Sequence, residues 1–128
     1  MPRDAVLDAS ALLALLNAEP GAQQVAACIP GGIISAVNLA EVVGKLAETG
    51  MTAEDIRMAL SGLGLRIADM DEKLAYEVGM LRPSTRSRGL SLGDRACLAQ
   101  ARKSGLPAVT ADREWLSIDV GVEVEAIR

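Results

Sequence analysis

Short runs of β-branched and aliphatic residues alternate along this chain with longer segments whose apolar positions recur every three or four residues. AVLD (5–8), GIIS (32–35), LRIA (65–68), PAVTA (107–111) and VEVEAI (122–127) read as strands. Helical patterns fall between them at 10–17, 21–28, 36–48, 53–62, 72–81 and 92–103, and a short helical turn follows Asp112. Ser35, Thr52, Asp71 and Ser91 stand where N-caps belong, and the 92–103 helix runs into Gly105 with Pro107 just beyond. Strand alternating with helix calls for parallel strands joined by right-handed crossovers. The pattern therefore predicts an α/β fold, a three-layer sandwich in one domain spanning 1–128. In the last strand Val122, Val124 and Ala126 share one side and Glu123 and Glu125 the other, as at a sheet edge with one wet face.

Composition narrows the chemistry. Half of the 128 residues are apolar, enough to bury roughly two thirds of the unfolded surface. With no Phe, one Tyr and one Trp, the core must be aliphatic, and base stacking on aromatic platforms is nearly ruled out. The chain has no histidine, which excludes Ser-His-Asp and Cys-His catalysis, His-ligated zinc and any imidazole base. What remains is carboxylates, hydroxyls, basic side chains or a metal. Cys28 and Cys97 lie in apolar helical stretches (VAACI, RACLA) without a CxxC partner, so they are expected to be buried and reduced, as in a reducing compartment. The apolar run after Arg3 is broken by Asp8 and lacks a cleavage site; the uncharged span 20–40 is interrupted by Pro20, Pro30, Gly31 and Gly32. A soluble, cytoplasmic protein with no membrane segment is the expectation.

Four acids stand out by position. Asp8 ends the first strand and Asp112 lies just past the fourth. In open parallel sheets ligands bind beyond the carboxyl ends of the strands, at the switch point, so these two carboxylates share a crevice if their strands are neighbours. Glu41 and Asp94 can join them from the helices at 36–48 and 92–103. Each has a plainer local role as well. Asp8 and Asp112 can cap the helices that follow, Ser91 and Asp94 fit a capping box, and Glu41 precedes Lys45 by four residues on a polar stripe with Asn38 and Glu48. Brought together, two carboxylates ~5 Å apart repel by roughly 3 kcal/mol at an effective dielectric of 20, so a cluster must take up protons or cations. Oxygen donors without His or Cys select hard ions such as Mg²⁺ or Mn²⁺.

VLDASALLALL, SAVNLAEVVGKL, LSLGDRACLAQA and VTADREWL, in this order and at these element positions, resemble the four acidic motifs of PIN-domain ribonucleases, and within them the VapC-like toxins of type II toxin–antitoxin systems. The similarity runs from residue 5 to about 118. It implies a five-stranded parallel sheet of order 3-2-1-4-5, with Asp8, Glu41, Asp94 and Asp112 as catalytic and metal-binding acids. Ser10 and Thr110 become supporting hydroxyls, and Trp115 the aromatic residue after the fourth acid. The implied activity is metal-dependent endoribonuclease hydrolysis of RNA using Mg²⁺ or Mn²⁺. The implied partners are a cognate antitoxin, seated in a groove that the helices at 10–17, 21–28 and 53–62 would line, and a second copy of the chain in a homodimer.

RNA binding by a chain of net charge −4 depends on where the charge lies. Residues 82–103 carry six basic residues against Asp94, +5 in all, which leaves −9 elsewhere. The segment RPSTRSRG reads as a loop upstream of Asp94, from which Arg86 and Arg88, with Arg95, would guide phosphates. Two other readings compete: a PIN fold used as a non-catalytic binding scaffold, and a receiver-type signalling domain. The receiver requires an acidic pair at the first strand and a Lys after the fifth. Here Ala9 follows Asp8 and the chain ends at Ile127-Arg128, although Asp69 does follow the third strand.

Overall fold

A computed structural model describes residues 3–128 of the chain. Its elements, in chain order, are β1 (Val6–Leu7), α1 (Ala9–Leu16), α2 (Ala22–Ala26), β2 (Ile33–Ser35), α3 (Ala36–Glu48), α4 (Ala53–Ser61), β3 (Arg66–Ala68), α5 (Glu72–Thr85), α6 (Leu92–Ser104), β4 (Ala108–Thr110) and β5 (Val124–Ala126). Two 3₁₀ turns, Arg86–Arg88 and Arg113–Ser117, follow α5 and β4. The strands form one parallel sheet of order β3-β2-β1-β4-β5, with Leu7 in register with Ile34 on one side and Val109 on the other. The fold class and strand order therefore match the expectation. Putting β1 between β2 and β4 sets the ends of the first and fourth strands side by side.

Alternation along the strands explains why both faces are covered. Val6 and Ala108 point into a core shared with Leu74 and Val78 of α5, Leu98 of α6 and Trp115. The next residues, Leu7 and Val109, point the opposite way, into a core with Ala11, Val25, Cys28 and Ile127. Leu12, Ile34, Val42, Leu46 and Ile56 fill a third cluster under α3 and α4. Both cysteines are free and buried. On β5, Val122 and Val124 pack against the first core, while Glu125 pairs with Arg3 at the surface. Among the described residues no helix is long and apolar enough to cross a membrane.

Sequence patterning misses one stretch. Helix α5 does not stop at residue 81 but runs through Pro83 to Thr85, and a 3₁₀ turn follows at once, so RPSTRSRG is mostly helical rather than a loop. Pro83 lies close enough to the helix end that the hydroxyls of Ser84 and Thr85, both donating to the Leu81 carbonyl, close the final turn. The other differences are trimmed ends. Strands of two or three residues replace runs of four to six, and α2 covers Ala22–Ala26 instead of 21–28.

Candidate active site

Every acid singled out in the sequence sits at the start of a helix or turn, except Glu41, which lies within α3. Asp8 follows β1 with extended backbone and caps α1: its Oδ1 accepts from the Ala11 amide at 2.8 Å and from the Ser10 hydroxyl at 2.7 Å. Its Oδ2 accepts from the Thr110 hydroxyl at 2.6 Å, across the β1–β4 seam. Asp94 completes a capping box with Ser91 at the start of α6: its Oδ2 accepts from the Ser91 amide at 2.9 Å, and the Ser91 hydroxyl accepts from the Asp94 amide at 3.1 Å. Asp112 caps the turn Arg113–Ser117 through the Glu114 amide at 3.0 Å. The capping roles are all present.

They coexist with convergence. Asp8, Glu41 and Asp94, with Ser10, Asn38 and Lys45, line one cleft of about 230 Å³ beyond the carboxyl end of β1. Asp8 forms its floor at 5 % exposure, whereas Glu41 is exposed. Asp112 is not part of that lining. Its backbone joins the site instead, the Asp112 amide donating to Thr110 Oγ1 at 3.0 Å while the Ala111 amide donates to Ser10 Oγ at 3.0 Å. Ser10 and Thr110 thus hold the ends of β1 and β4 together around the Asp8 carboxylate, with 3.4 Å between their hydroxyl oxygens.

The electrostatics follow from this burial. Desolvation raises the Asp8 carboxyl above the usual carboxylate range; hydrogen bonds from Thr110, Ala11 and Ser10 pull it down, and the charge of Asp94 pushes it up further. Beneath the cleft, burial drives the Cys97 thiol well up, and the negative charges of Asp8, Asp94 and Glu41 add to the effect. Cys97 is therefore a neutral packing residue, and the donors that face the cleft are oxygens. That chemistry suits a hard cation. Among the described residues no three of the acids or cysteines are grouped to grip one ion directly. The fit is to an ion such as Mg²⁺, which takes one or two carboxylates and keeps several waters.

Two residues that shape the site escape attention in the sequence. Asn38 belongs to the polar stripe of α3, yet it is buried: Nδ2 donates to Glu41 Oε1 at 2.8 Å and to the Gly93 carbonyl at 3.0 Å, and Oδ1 accepts from Ser35 at 2.7 Å. Glu41 is bound to Asn38, and among the described residues no ion pair joins it to Lys45. Gly93 is what lets Glu41 lie over the first turn of α6. A Cβ there would come within 2.3 Å of Glu41 Oε1. The sequence signal for both was one turn of spacing, Asn38 to Glu41, and a glycine directly before Asp94.

The basic residues divide. Arg95, expected to face phosphate, is instead 6 % exposed and donates to the Val78 carbonyl at 3.1 Å. It follows the capping box by one residue, and helical rotation turns it inward against α5. Arg88 is exposed and donates to the Glu114 carbonyl at 3.2 Å and to the Ser117 hydroxyl, beside the turn that Asp112 caps. Arg86 is exposed where α5 ends. Asp69, the acid a receiver would phosphorylate, is exposed after edge strand β3 and outside the cleft. The grooves run along α3 rather than along α1, α2 and α4. One of about 500 Å³ between α1 and α3 shares Ser10, Leu13 and Lys45 with the acid cleft, and an apolar one of about 430 Å³ lies between α3, α4 and β3.

Residues 5–121 match the family model of the PIN domain. Among solved structures, the chain is similar to a toxin–antitoxin complex from Klebsiella pneumoniae (25 % identity, 97 % of this chain and 98 % of that one, TM-score 0.76). It is also similar to DNA-bound VapBC from Salmonella typhimurium (22 %, all of both chains, TM-score 0.74). A third likeness is to VapBC2 of Rickettsia felis bound to a promoter DNA fragment (18 %, 97 % and 98 %, TM-score 0.74). No curated protein matches the sequence.

Proposed function

The chain belongs to the PIN-domain family, and from that premise we propose that it is a metal-dependent endoribonuclease acting as the toxin of a toxin–antitoxin pair. The observation that carries this reading is the meeting of Asp8, Glu41 and Asp94, from three distant segments, in one cleft at the carboxyl end of the sheet. Asp8, Asp94 and Glu41 would hold Mg²⁺ or Mn²⁺, with Asp112 reaching in from the end of β4. A divalent ion there supplies a water of lowered pKa and neutralises charge on the phosphoryl group and leaving oxygen.

The protein's own residues do the rest. Thr110 and Ser10 fix both oxygens of Asp8, so the buried carboxylate presents one orientation to the cleft. Asn38 holds Glu41 against the start of α6. Lys45 on the cleft wall and Arg88 beside the Asp112 turn place positive charge where an RNA backbone would enter an otherwise acidic site. The groove between α1 and α3 opens into the same cleft, which suits an antitoxin segment that reaches the acids and blocks them. Each of the three structural neighbours named above is such a complex by its description.

The test is cleavage of a mixed-sequence RNA with Mg²⁺ or Mn²⁺. Wild-type protein is expected to cut, chelation to abolish cutting, and Asp94→Asn or Glu41→Gln to lose more than the roughly 100-fold that removal of a mere supporting partner costs. Asn at 94 keeps an oxygen for the Ser91 amide, so the fold survives. Cleavage that persists in chelator or in Asp94→Asn refutes the mechanism. Mn²⁺ binding without any cleavage returns the chain to the scaffold reading.

A further inference from the structure

Helix α5 turns an uncovered face outward. Leu74, Val78, Leu81 and Thr85 are buried, while Tyr76 at 70 % and Met80 at 72 % are the most exposed large apolar side chains among the described residues. At 3.6 residues per turn, Glu72, Tyr76, Gly79, Pro83 and Arg86 form one row opposite the buried side, with Met80 beside it. Arg86 keeps helical backbone angles, so the row continues to it. The row is acidic at its start, apolar in its middle and basic at its end. Glu72 and Arg86 lie about 21 Å apart along the axis, and Gly79 falls midway.

Two features of that midpoint have no use within one copy. Glycine inside an exposed helix is destabilising relative to alanine, and a Cβ at Gly79 would meet nothing within 4 Å, so no internal contact requires it. Pro83 has no N–H, which leaves the Gly79 carbonyl without its helical donor.

We propose that α5 pairs with α5 of a second copy of this chain, antiparallel about a two-fold axis at Gly79. In that arrangement Glu72 faces Arg86 of the partner subunit at both ends, Tyr76 lies on Pro83 of the partner subunit, and its hydroxyl meets the free Gly79 carbonyl. The glycines let the backbones approach. A two-fold contact must be complementary to itself, and a row whose charge reverses sign about its centre meets that condition; the parallel alignment sets like charge on like. This gives a surface to the second copy expected from the sequence, and it does not rest on the nuclease reading, because mass is measured on the protein alone.

The experiment is sedimentation velocity on the full chain from about 1 to 100 μM at low salt. A single helix pair buries less than a standard interface, so mass is expected to rise with concentration from 13.3 kDa toward twice that value. Tyr76→Glu with Met80→Glu should stay monomeric throughout with an unchanged circular dichroism melt, both side chains being exposed. Glu72→Arg or Arg86→Glu alone should weaken pairing about tenfold, and the two together should restore it to within about threefold of wild type. A wild-type chain that is monomeric at 100 μM, a dimer that survives the Tyr76 and Met80 changes, or a double charge reversal that fails to restore pairing overturns the proposal.

Discussion

Replacing Thr110 by Val tests how the site keeps a buried carboxylate in place. The exchange nearly preserves shape in a residue that is fully buried, and it removes one hydroxyl that donates to Asp8 Oδ2 at 2.6 Å. The same hydroxyl accepts from the Asp112 amide, but Asp112 is exposed and water can serve that group. The cost is therefore mainly one hydrogen bond to a charged acceptor, about 1.5–3 kcal/mol. Unfolding entropy of about 2.1 cal/mol/K per residue over 128 residues gives roughly 0.27 kcal/mol per degree, so Tm should fall by about 5 to 11 °C at neutral pH. The penalty also has a pH signature. Burial already raises Asp8, and Thr110 provides the largest opposing effect, so its loss raises the folded-state pKa further. A group raised on folding contributes stability that is present below its unfolded pKa and lost as pH rises through the folded one. The melting deficit of Thr110→Val should thus be greater at pH 8 than at pH 4, where Asp8 is protonated and the lost bond is an ordinary neutral one. Calorimetry or a dichroism melt across this range measures it. A deficit below about 2 °C, or one independent of pH, would show that Thr110 does not hold the charged form of Asp8.

Other perturbations separate stability from chemistry. Asp8→Asn should melt above wild type at pH 8, because it removes the buried charge while Asn keeps an acceptor for Ala11 and Ser10; the gain should vanish as pH falls into the ordinary carboxylate range, and a lower melting point at pH 8 would contradict it. Gly93→Ala should keep or slightly raise Tm, alanine being the better helix former by about 1 kcal/mol, yet weaken Mn²⁺ binding in titration about tenfold, because the new Cβ evicts the Glu41 carboxylate. Unchanged Mn²⁺ affinity would mean that Glu41 does not need that seat.

How much of this could be read from the sequence depended on the range of the interactions involved. The five strands, their parallel arrangement and the helix starts at Ser35, Thr52, Asp71 and Ser91 are short-range features, set by hydrophobic period and capping chemistry, and all appear where the pattern puts them. The strand order came through the family resemblance; periodicity alone says nothing about which strands are neighbours. What stayed hidden was set by helix phase and close approach. Arg95 looked like a member of a basic surface cluster because charge is visible in a sequence and the direction of a side chain at the second turn of α6 is not. Asn38 looked like part of a wet stripe because its partners, Ser35 apart, lie on another element or depend on one: the Gly93 carbonyl, and the position of Glu41 above α6. Pro83 suggested a stop, and two hydroxyls near the helix end made it tolerable.

Capping and ligation seem to compete for the same acids, but the geometry makes them allies. A capping carboxylate commits one oxygen to the backbone, as Asp8 does through Oδ1 to the Ala11 amide, Asp94 through Oδ2 to the Ser91 amide and Asp112 through Oδ1 to the Glu114 amide. The second oxygen is left to serve another purpose. Each acid also stands at the positive end of a helix or turn, where unpaired amides favour negative charge by about 0.3–1 kcal/mol, more when partly buried. That offsets part of the roughly 3 kcal/mol of repulsion that a close carboxylate pair carries. A cleft assembled from helix starts at the carboxyl end of a parallel sheet can therefore hold its acids ionised before any cation arrives. Glu41, which lies inside a helix and lacks that support, is the acid that needs a separate clamp, and Asn38 with Gly93 provides it.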